Sequence, residues 1–350
     1  MKNTFLYGVL YGSVRSFFMA LMATVGIALG VVFFLAFLGS ISSAGTKEVE
    51  KNFKIEVLSN AEGVRKIESN KAPVILQVNI QGVIGTELLN TQTISDMLVE
   101  SREGDLKQNR VKAILLNINS PGGTVTDSDG IYRAIKAYKK QYNVPVYAYA
   151  DGLCASGGMY VACSADKVFA SDVCLLGSIG VISPSFMNFS KLIDKVGIEA
   201  LTISAGKGKD DMNPLRPWKP NEDASYKEII EYYYQMFVNI VSTARPEVSK
   251  ENLIENYGAG IFPAEKAKEI GYIDNNNLSR EDVLKLLLKD IGIEDQYYQV
   301  VQLQSSNWIT KLFSSQNSLF KGIFKHKLEI SPEIDVKLSG KFLYLYSPQD

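Results

Sequence analysis

An uncharged apolar segment near the start of the chain, Phe17–Leu38, constrains its folding most strongly. As a helix rising about 1.5 Å per residue, this segment would extend about 33 Å, enough to cross a hydrocarbon core of about 30 Å. Lys2 and Arg15 precede the segment, and Lys47 is the first cation after it. Because cations favour the cytoplasmic side, we expect a single-pass anchor with a cytoplasmic N-terminus and the remaining chain outside the cytoplasm. A cleaved secretory signal is the alternative, although its apolar region usually has only about 7 to 15 residues.

The pattern of apolar and polar residues divides the chain into four regions. Residues 1–46 contain the expected transmembrane helix, and the charged run within 47–71 indicates a stalk or linker. Between 72 and 290, apolar runs of strand length alternate with stretches of helical period, which predicts an α/β catalytic domain. Residues 291–350 form a C-terminal extension. The predicted strands are Val74–Ile80, Ala113–Ile118, Val144–Ala150, Lys167–Ala170 and Ile198–Ser204, and the predicted helices are Thr91–Gln108, Thr126–Gln141, Ser156–Ser164, Asn188–Val196 and a long amphipathic helix from Ala224 to Arg245.

Composition argues against several classes of function. The chain has 37 Lys and Arg residues and 38 Asp and Glu residues, so it has no overall attraction for phosphate backbones, and we expect no nucleic-acid partner. Cys154, Cys163 and Cys174 are too few for a disulfide framework and match no zinc spacing, so we expect buried packing residues. A catalytic triad or a histidine metal cluster would have to use His326, the single histidine. We therefore expect neither a metal nor a cofactor.

Two glycine-containing turns are the best candidates for a catalytic site. In Asn119–Gly123, proline and two glycines predict a turn whose backbone N–H groups can hold an oxyanion, although an ordinary strand-to-helix connection is the alternative. In Ala155–Gly158, Ser156 precedes a predicted helix and lies next to the free N–H of Gly157. An N-cap serine is the alternative there. It leaves unexplained two glycines inside the first helical turn, where each costs up to about 1 kcal/mol relative to alanine.

A serine nucleophile needs a base, and lysine is the natural substitute where histidine is scarce. Lys207 and Lys209 lie in the glycine-rich loop Ser204–Asp210, after a predicted strand. A lysine with the usual pKa of about 10.4 is charged at pH 7, but burial against apolar walls lowers lysine pKa values by several units. A solvated loop lysine is the alternative for either position.

Four ordered motifs between Ala72 and Asp274 carry a resemblance to a known family: NINSPGG, ASGGMYVACSADKVFA, GSIGVI and GKGKDDMNP. Together they resemble the signal peptide peptidase A family, also called protease IV, of membrane-bound Ser/Lys proteases. NINSPGG and the serine turn are also similar to the Clp proteolytic subunit, a relative within the wider crotonase-like fold. The resemblance implies a spiral of ββα units preceded by one transmembrane helix. The Clp subunit has a histidine after its serine motif, whereas this chain has Gly177 near the corresponding place, which fits a lysine enzyme.

Residue by residue, the resemblance implies a role for each motif position. Ser156 would be the nucleophile and Lys209 the general base, while Gly123 and Gly157 would supply the oxyanion N–H groups. Ser178 matches a serine that orients the lysine. Lys207 remains the alternative base, although the spacing from Lys209 to the following DMNP favours Lys209.

The expected function is that of a serine endopeptidase anchored in a bacterial inner membrane. It would degrade signal-peptide remnants and other apolar peptides beside the lipid bilayer. The family's ring or dome assemblies imply a homo-oligomer, in which base and nucleophile can come from neighbouring protomers. A crotonase-like acyl-CoA enzyme is an alternative that the extracytoplasmic orientation disfavours, because coenzyme A is cytosolic. An inactive scaffold with the same fold is another.

The C-terminal extension fits the resemblance poorly. Apolar residues between Trp308 and Phe324 recur at helical spacing with lysines nearby. They predict a helix that rests either on an anionic membrane surface or on a neighbouring subunit. The sequence GKFLYLY near the end predicts a short strand that could add to a sheet edge.

Overall fold

The computed structural model describes residues 19, 22, 24, 26, 29, 30, 53–293, 297–305 and 342–346 of the chain. They belong to two compact units, 1–52 and 53–350. The described residues of the first unit are helical. Across the described part of the chain, no helix combines the length and the apolar character that a membrane span requires. Most of the predicted anchor at 17–38, His326 and the amphipathic stretch from 308 to 324 lie outside the described residues.

Strands and helices alternate along the second unit. Its described strands are β1 (Phe53–Leu58), β2 (Val74–Gln81), β3 (Val111–Ser120), β4 (Gly122–Thr124), β5 (Val146–Ala155), β6 (Lys167–Ala170), β7 (Leu175–Gly177), β8 (Ile261–Pro263), β9 (Gln299–Ser305) and β10 (Leu343–Leu345). Its described helices are α1 (Thr91–Glu100), α2 (Val125–Tyr142), α3 (Gly157–Ala162), α4 (Ser190–Lys195), α5 (Ala224–Ala244), α6 (Lys250–Asn252), α7 (Ala264–Ile270) and α8 (Arg280–Asp290). A 3₁₀ turn at Gly104–Leu106 and a π turn at Leu253–Tyr257 complete the helical segments.

The main sheet has eight strands and is mostly parallel. Seven follow one another in the order β1, β9, β2, β3, β5, β7, β8, and β6 also pairs with β5. The pairs β1 with β9 and β7 with β8 are antiparallel, whereas the interior pairs are parallel. A separate two-stranded sheet joins β10 to β4. The carboxyl ends of β3 and β5 therefore lie side by side, and these ends carry the two glycine turns.

The central strands are buried on both faces, as parallel strands covered by helices must be. Alternate residues of β2 and β3 face opposite sides of the sheet, so Leu76 and Ile114 pack in one apolar cluster and Ile75 and Leu115 in the other. The larger cluster includes side chains of α1, α2, α3 and α5. The smaller one includes α8, which contributes leucines and a valine. This three-layer arrangement confirms the α/β fold predicted from the alternating pattern.

Most of the predicted elements are confirmed to within a few residues, and two differ. The segment predicted as the strand Ile198–Ser204 forms no strand, and it leaves Leu201 and Ile203 88% and 90% exposed. A strand needs a hydrogen-bonded neighbour, and no strand lies beside this segment among the described residues. The helix predicted to reach Gln108 ends at Glu100. There the Ser101 hydroxyl donates to the Leu98 carbonyl, a side-chain bond that competes with helix continuation.

Two strands come from regions that the sequence pattern placed outside the catalytic domain. β1 lies in the stretch predicted as a stalk, and β9 lies in the predicted C-terminal extension. All of β1 pairs with residues 300–305 of β9, and β9 also pairs with β2. The catalytic sheet therefore begins earlier and ends later than the predicted limits 72 and 290.

Candidate active site

Ser156 lies in a sharp turn between β5 and α3, with φ 54° and ψ −117°. A non-glycine residue with positive φ is strained, and such strain is typical of a catalytic serine held between a strand and a helix. The Ser156 amide donates to the Gly177 carbonyl at 2.8 Å, which ties the turn to the end of β7. Its side chain makes no capping hydrogen bond, so the N-cap interpretation does not apply. The residue is buried, with 1% of its surface exposed.

The start of α3 packs closely against α2, β4 and the end of β3. A Cβ on Gly157 would lie 2.4 Å from Ser128 Oγ and 3.1 Å from the Gly123 amide N. A Cβ on Gly158 would lie 3.0 Å from the Ser120 carbonyl O. Close approach of two backbones therefore explains the two glycines inside the first helical turn. It also brings the two predicted oxyanion positions, Gly123 and Gly157, into neighbouring positions.

A hydrogen-bond network that the sequence did not predict holds β4 in place. The Ile84 amide donates to the Gly122 carbonyl at 2.8 Å, and the Thr124 amide donates to the Ile84 carbonyl at 3.0 Å. Asp127 Oδ2 accepts from the Thr124 hydroxyl at 2.7 Å, and Asp127 Oδ1 accepts from the Thr91 amide at 3.0 Å. These bonds fix the glycine turn between α1 and α2. Only the capping position of Thr124 before α2 signals this role in the sequence.

Ser178 immediately follows β7 and is buried. Its φ is 54°, and its amide donates to the Gly260 carbonyl at 2.7 Å. Since β7 pairs with β5 through Gly177 and Ala155, Ser178 lies one residue beyond the hydrogen-bond partner of Ser156. The structure thus brings Ser156, Gly157, Gly123 and Ser178 into one region, at the ends of β3, β5 and β7.

Lys209 is exposed, in a turn where its amide donates to the Gly206 carbonyl at 3.2 Å. Its side chain makes no hydrogen bond or ion pair with another residue that the structure describes, Ser156 included. Asp210, the next residue, forms an ion pair with Arg216 at 2.6 Å, and Arg216 forms a second ion pair with Glu222 at 2.6 Å. Hydrogen bonds from Arg216, and then from Asn213, hold the pKa of Asp210 below its usual value. The structure therefore does not join the predicted base to the predicted nucleophile within this chain. Lys207 in the same turn is also exposed.

The edge of β4 at Gly123 is paired with a later segment of the chain. β10 pairs with β4 in antiparallel register, with Tyr344 opposite Gly123. The prediction that GKFLYLY forms a strand and adds to a sheet edge is confirmed, and the edge is that of the glycine turn. Tyr344 is buried between Tyr160 and Phe237. No sequence pattern predicts this aromatic cluster, because its members lie on three distant segments.

The three cysteines are free and buried, which confirms their predicted packing role. Burial raises the pKa of Cys163 and of Cys174 to about 12, and it raises that of Cys154 well above its usual value. A neutral thiol is a poor nucleophile, so none of these groups competes with the serine hydroxyl for that role.

The Tyr160 hydroxyl donates to Asp129 Oδ1 at 2.8 Å. Burial first, and then this bond, raises the pKa of Tyr160.

Comparison with known proteins identifies the chemistry. Residues 138–293 match the model of peptidase family S49, and residues 87–174 match that of the Clp protease. An Enterococcus faecium protein named for signal peptide peptidase SppA is 30% identical over 292 residues, or 79% of this chain and 82% of that protein. A Synechocystis protein named as a protease is 32% identical over 69% of this chain and 87% of its own length. Protease 4 of Haemophilus influenzae is 28% identical over 63% of this chain and 36% of its own length.

Among solved structures, a mutant of ClpP1 from Listeria monocytogenes is 18% identical and covers 59% of this chain and 94% of its own, with a TM-score of 0.39. The family assignment depends on the sequence matches, because the relatives are matched over most of their length. The α/β fold is accordingly Clp protease-like. The chain belongs to the signal peptide peptidase A family, peptidase family S49, and is a serine protease.

Proposed function

We propose that this serine protease is a membrane-anchored endopeptidase that cleaves apolar peptides with a Ser156–Lys209 dyad. The observation that carries the proposal is the strained, buried Ser156 turn beside the close-packed amides of Gly123 and Gly157. A hydroxyl at such a turn is held next to donors that stabilise the negative charge of a tetrahedral intermediate. Attack by Ser156 Oγ forms an acyl-enzyme, which water then hydrolyses.

Lys209 is the proposed general base. A neutral lysine amine accepts the serine proton and later delivers it to the leaving amine. Ser178, on the strand end that holds the Ser156 amide, is the proposed orienting group for that lysine. Burial of the amine in an assembled site would favour its neutral form.

A second copy of the chain is the proposed partner that completes the site. Lys209 is exposed, and the segment before it exposes large apolar side chains that nothing in the described part of the chain covers. These side chains include Leu192, Val196, Leu201 and Ile203. Association of copies in a ring or dome would bury this surface and bring the Lys209 turn of one protomer towards the Ser156 turn of another.

The proposed substrates are signal-peptide remnants and other apolar peptides in extended form. The edge of β4 pairs with an antiparallel strand, and the residue of that strand opposite Gly123 packs among aromatic side chains. The apolar segment at 17–38 supports anchoring in a bacterial inner membrane, with the catalytic unit outside the cytoplasm. At that location the enzyme would meet signal peptides left behind in the bilayer after secretion.

The test is hydrolysis of an apolar peptide by the purified chain and by three variants. Ser156→Ala and Lys209→Ala should each abolish hydrolysis, because each removes one half of the dyad. His326→Ala should retain activity, because the mechanism needs no histidine. A loss with His326→Ala as large as that with Ser156→Ala would replace the dyad with a triad.

A further inference from the structure

Ser128 is a serine of α2 whose hydroxyl has no hydrogen-bond partner among the described residues. It lies near the start of the helix and is completely buried, with 0% of its surface exposed. A serine within a helix often returns its hydroxyl to a carbonyl three or four residues earlier. Two other buried serines of this chain do so at helix ends: Ser101 donates to the Leu98 carbonyl at 2.6 Å, and Ser164 donates to the Val161 carbonyl at 2.7 Å. Ser128 differs from both.

An unpaired hydroxyl destabilises a protein core, because the group loses its hydrogen bonds to water on folding and gains none in return. Alanine would fill nearly the same space at position 128 without that penalty, and alanine has the higher helix propensity. Packing therefore does not account for the serine. An acceptor that is present only during the reaction would account for it, and the position of the hydroxyl supports this explanation.

The Ser128 hydroxyl lies against the backbone that carries the two candidate oxyanion donors. A Cβ on Gly157 would lie 2.4 Å from Ser128 Oγ and 3.1 Å from the amide N of Gly123. The hydroxyl and the Gly123 amide therefore approach the same point beside the Gly157 backbone. Thr124, the residue after the glycine turn, holds this end of α2, because its hydroxyl donates to Asp127 Oδ2 at 2.7 Å and accepts from the Asp127 amide at 3.1 Å. The helix end that carries Ser128 is thus fixed relative to the turn.

We infer that the Ser128 hydroxyl is a third hydrogen-bond donor to the oxyanion, beside the amides of Gly123 and Gly157. The inference rests on the proposed function, because the oxyanion exists only after Ser156 Oγ has bonded to the substrate carbonyl carbon. That bond turns the carbonyl oxygen into an alkoxide with three lone pairs, and the two amides serve two of them. A serine O–H rotates to suit its acceptor and can donate to the third. The proton stays on Ser128 Oγ throughout.

The third donor stabilises the transition state more than the bound substrate. Hydrogen bonds to an ionised oxygen are shorter and about twice as strong as those between neutral groups. The substrate carbonyl is neutral before attack, so a bond that strengthens as charge develops raises kcat and leaves KM nearly unchanged. The resting enzyme is therefore less stable by an unpaired hydroxyl that gains its acceptor during the reaction.

The test compares Ser128→Ala with wild type in the hydrolysis of an apolar peptide and in thermal unfolding. Because the two amides remain, we expect kcat to fall at least about tenfold, with KM within about threefold of the wild-type value. The lost hydroxyl is unpaired in the resting enzyme, so the variant should unfold at the wild-type temperature or up to about 4 °C above it. A hydroxyl with a structural role would show the reverse, a lower unfolding temperature with kcat unchanged.

A peptide aldehyde measures the oxyanion position more directly. It forms a hemiacetal with Ser156, whose new oxygen lies where the oxyanion would lie, whereas the corresponding peptide alcohol cannot react. Ser128→Ala should bind the aldehyde at least about tenfold more weakly than wild type and the alcohol equally well. Equal affinity of both proteins for the aldehyde would exclude the third donor.

Ser164→Ala is the matched control, because it removes a buried hydroxyl that is paired and lies beyond the end of α3. It should keep the wild-type kcat and unfold at a lower temperature. If wild type hydrolyses the peptide and Ser128→Ala does so equally fast, the inference is wrong and the proposed function stands. If wild type hydrolyses no peptide, both fail.

Discussion

The amide N of Ser156 donates a 2.8 Å hydrogen bond to the carbonyl O of Gly177, and this bond joins the serine turn to the end of β7. Ser156 has φ 54°, a conformation that costs about 1 to 3 kcal/mol unless the surroundings enforce it. The bond to Gly177, together with the close packing of Gly157 on β4, supplies that enforcement. The backbone of the Ser156 turn is therefore held in its strained conformation by the surrounding structure.

Gly122→Ala should abolish peptide cleavage while the chain stays folded. A Cβ there would lie 2.0 Å from the Tyr344 carbonyl O and 2.6 Å from the Gly157 amide N, so it would fill the space between β4 and α3 where we propose that a substrate carbonyl binds. We expect peptide hydrolysis to fall at least about 100-fold, with binding lost as well as turnover. The measurement is peptide hydrolysis beside circular dichroism and thermal unfolding.

Gly63→Ala is the matched control for backbone strain. Gly63 also has positive φ, at 74°, but a Cβ there would meet nothing within 4 Å. Gly122→Ala should lose more stability than Gly63→Ala, because its Cβ would also lie 2.6 Å from the Gly157 amide N, and only Gly122→Ala should lose activity. Full activity in a folded Gly122→Ala chain would show that substrate carbonyls do not lie between Gly123 and Gly157.

Arginine substitutions at the two loop lysines separate the role of base from the role of charge. Lys209→Arg keeps the positive charge but cannot accept a proton near neutral pH, so it should be as inactive as Lys209→Ala. Lys207→Arg should retain most of the activity, because only a charge is required there. Peptide hydrolysis at fixed pH measures both. The reverse result would make Lys207 the base, and two active variants would rule out a lysine mechanism.

The sequence predicted the two glycine turns better than the surfaces around them. Turn chemistry is local, so the glycine pairs around Gly123 and Ser156 could be recognised from a few consecutive residues. The aromatic cluster could not, because Tyr160, Phe237 and Tyr344 meet only when three distant segments pack together. The strand predicted at Ile198–Ser204 was wrong because apolar β-branched residues indicate burial without indicating which surface buries them.

Two inactive variants should restore activity when they are combined, if a second copy supplies the base. Ser156→Ala retains Lys209, and Lys209→Ala retains Ser156, so a mixed assembly contains some sites with both groups. We expect a mixture that has been dissociated and reassembled to recover up to about a quarter of wild-type hydrolysis, by random pairing of subunits. Each variant treated alone is the control. A mixture as inactive as its components would show that Lys209 and Ser156 of one chain form the dyad.

The anchor prediction places residues after Thr46 outside the cytoplasm. Protease added to intact spheroplasts should therefore digest the catalytic unit, and the chain should remain with the membrane fraction after a salt wash. A cytoplasmic protein followed in the same samples is the control for leakage. Protection of the catalytic unit until the spheroplasts are lysed would show that it lies in the cytoplasm. Release of the chain by the salt wash would show that the segment at 17–38 does not anchor it in the membrane.

The most direct test of the central claim is covalent labelling by a serine-reactive fluorophosphonate probe, with the modified residue located by mass spectrometry. Wild type and Ser156→Ala should be compared. We predict a single adduct on Ser156 and no adduct in Ser156→Ala. An adduct on another serine, or equal labelling of Ser156→Ala and wild type, would contradict the assignment of Ser156 as the nucleophile.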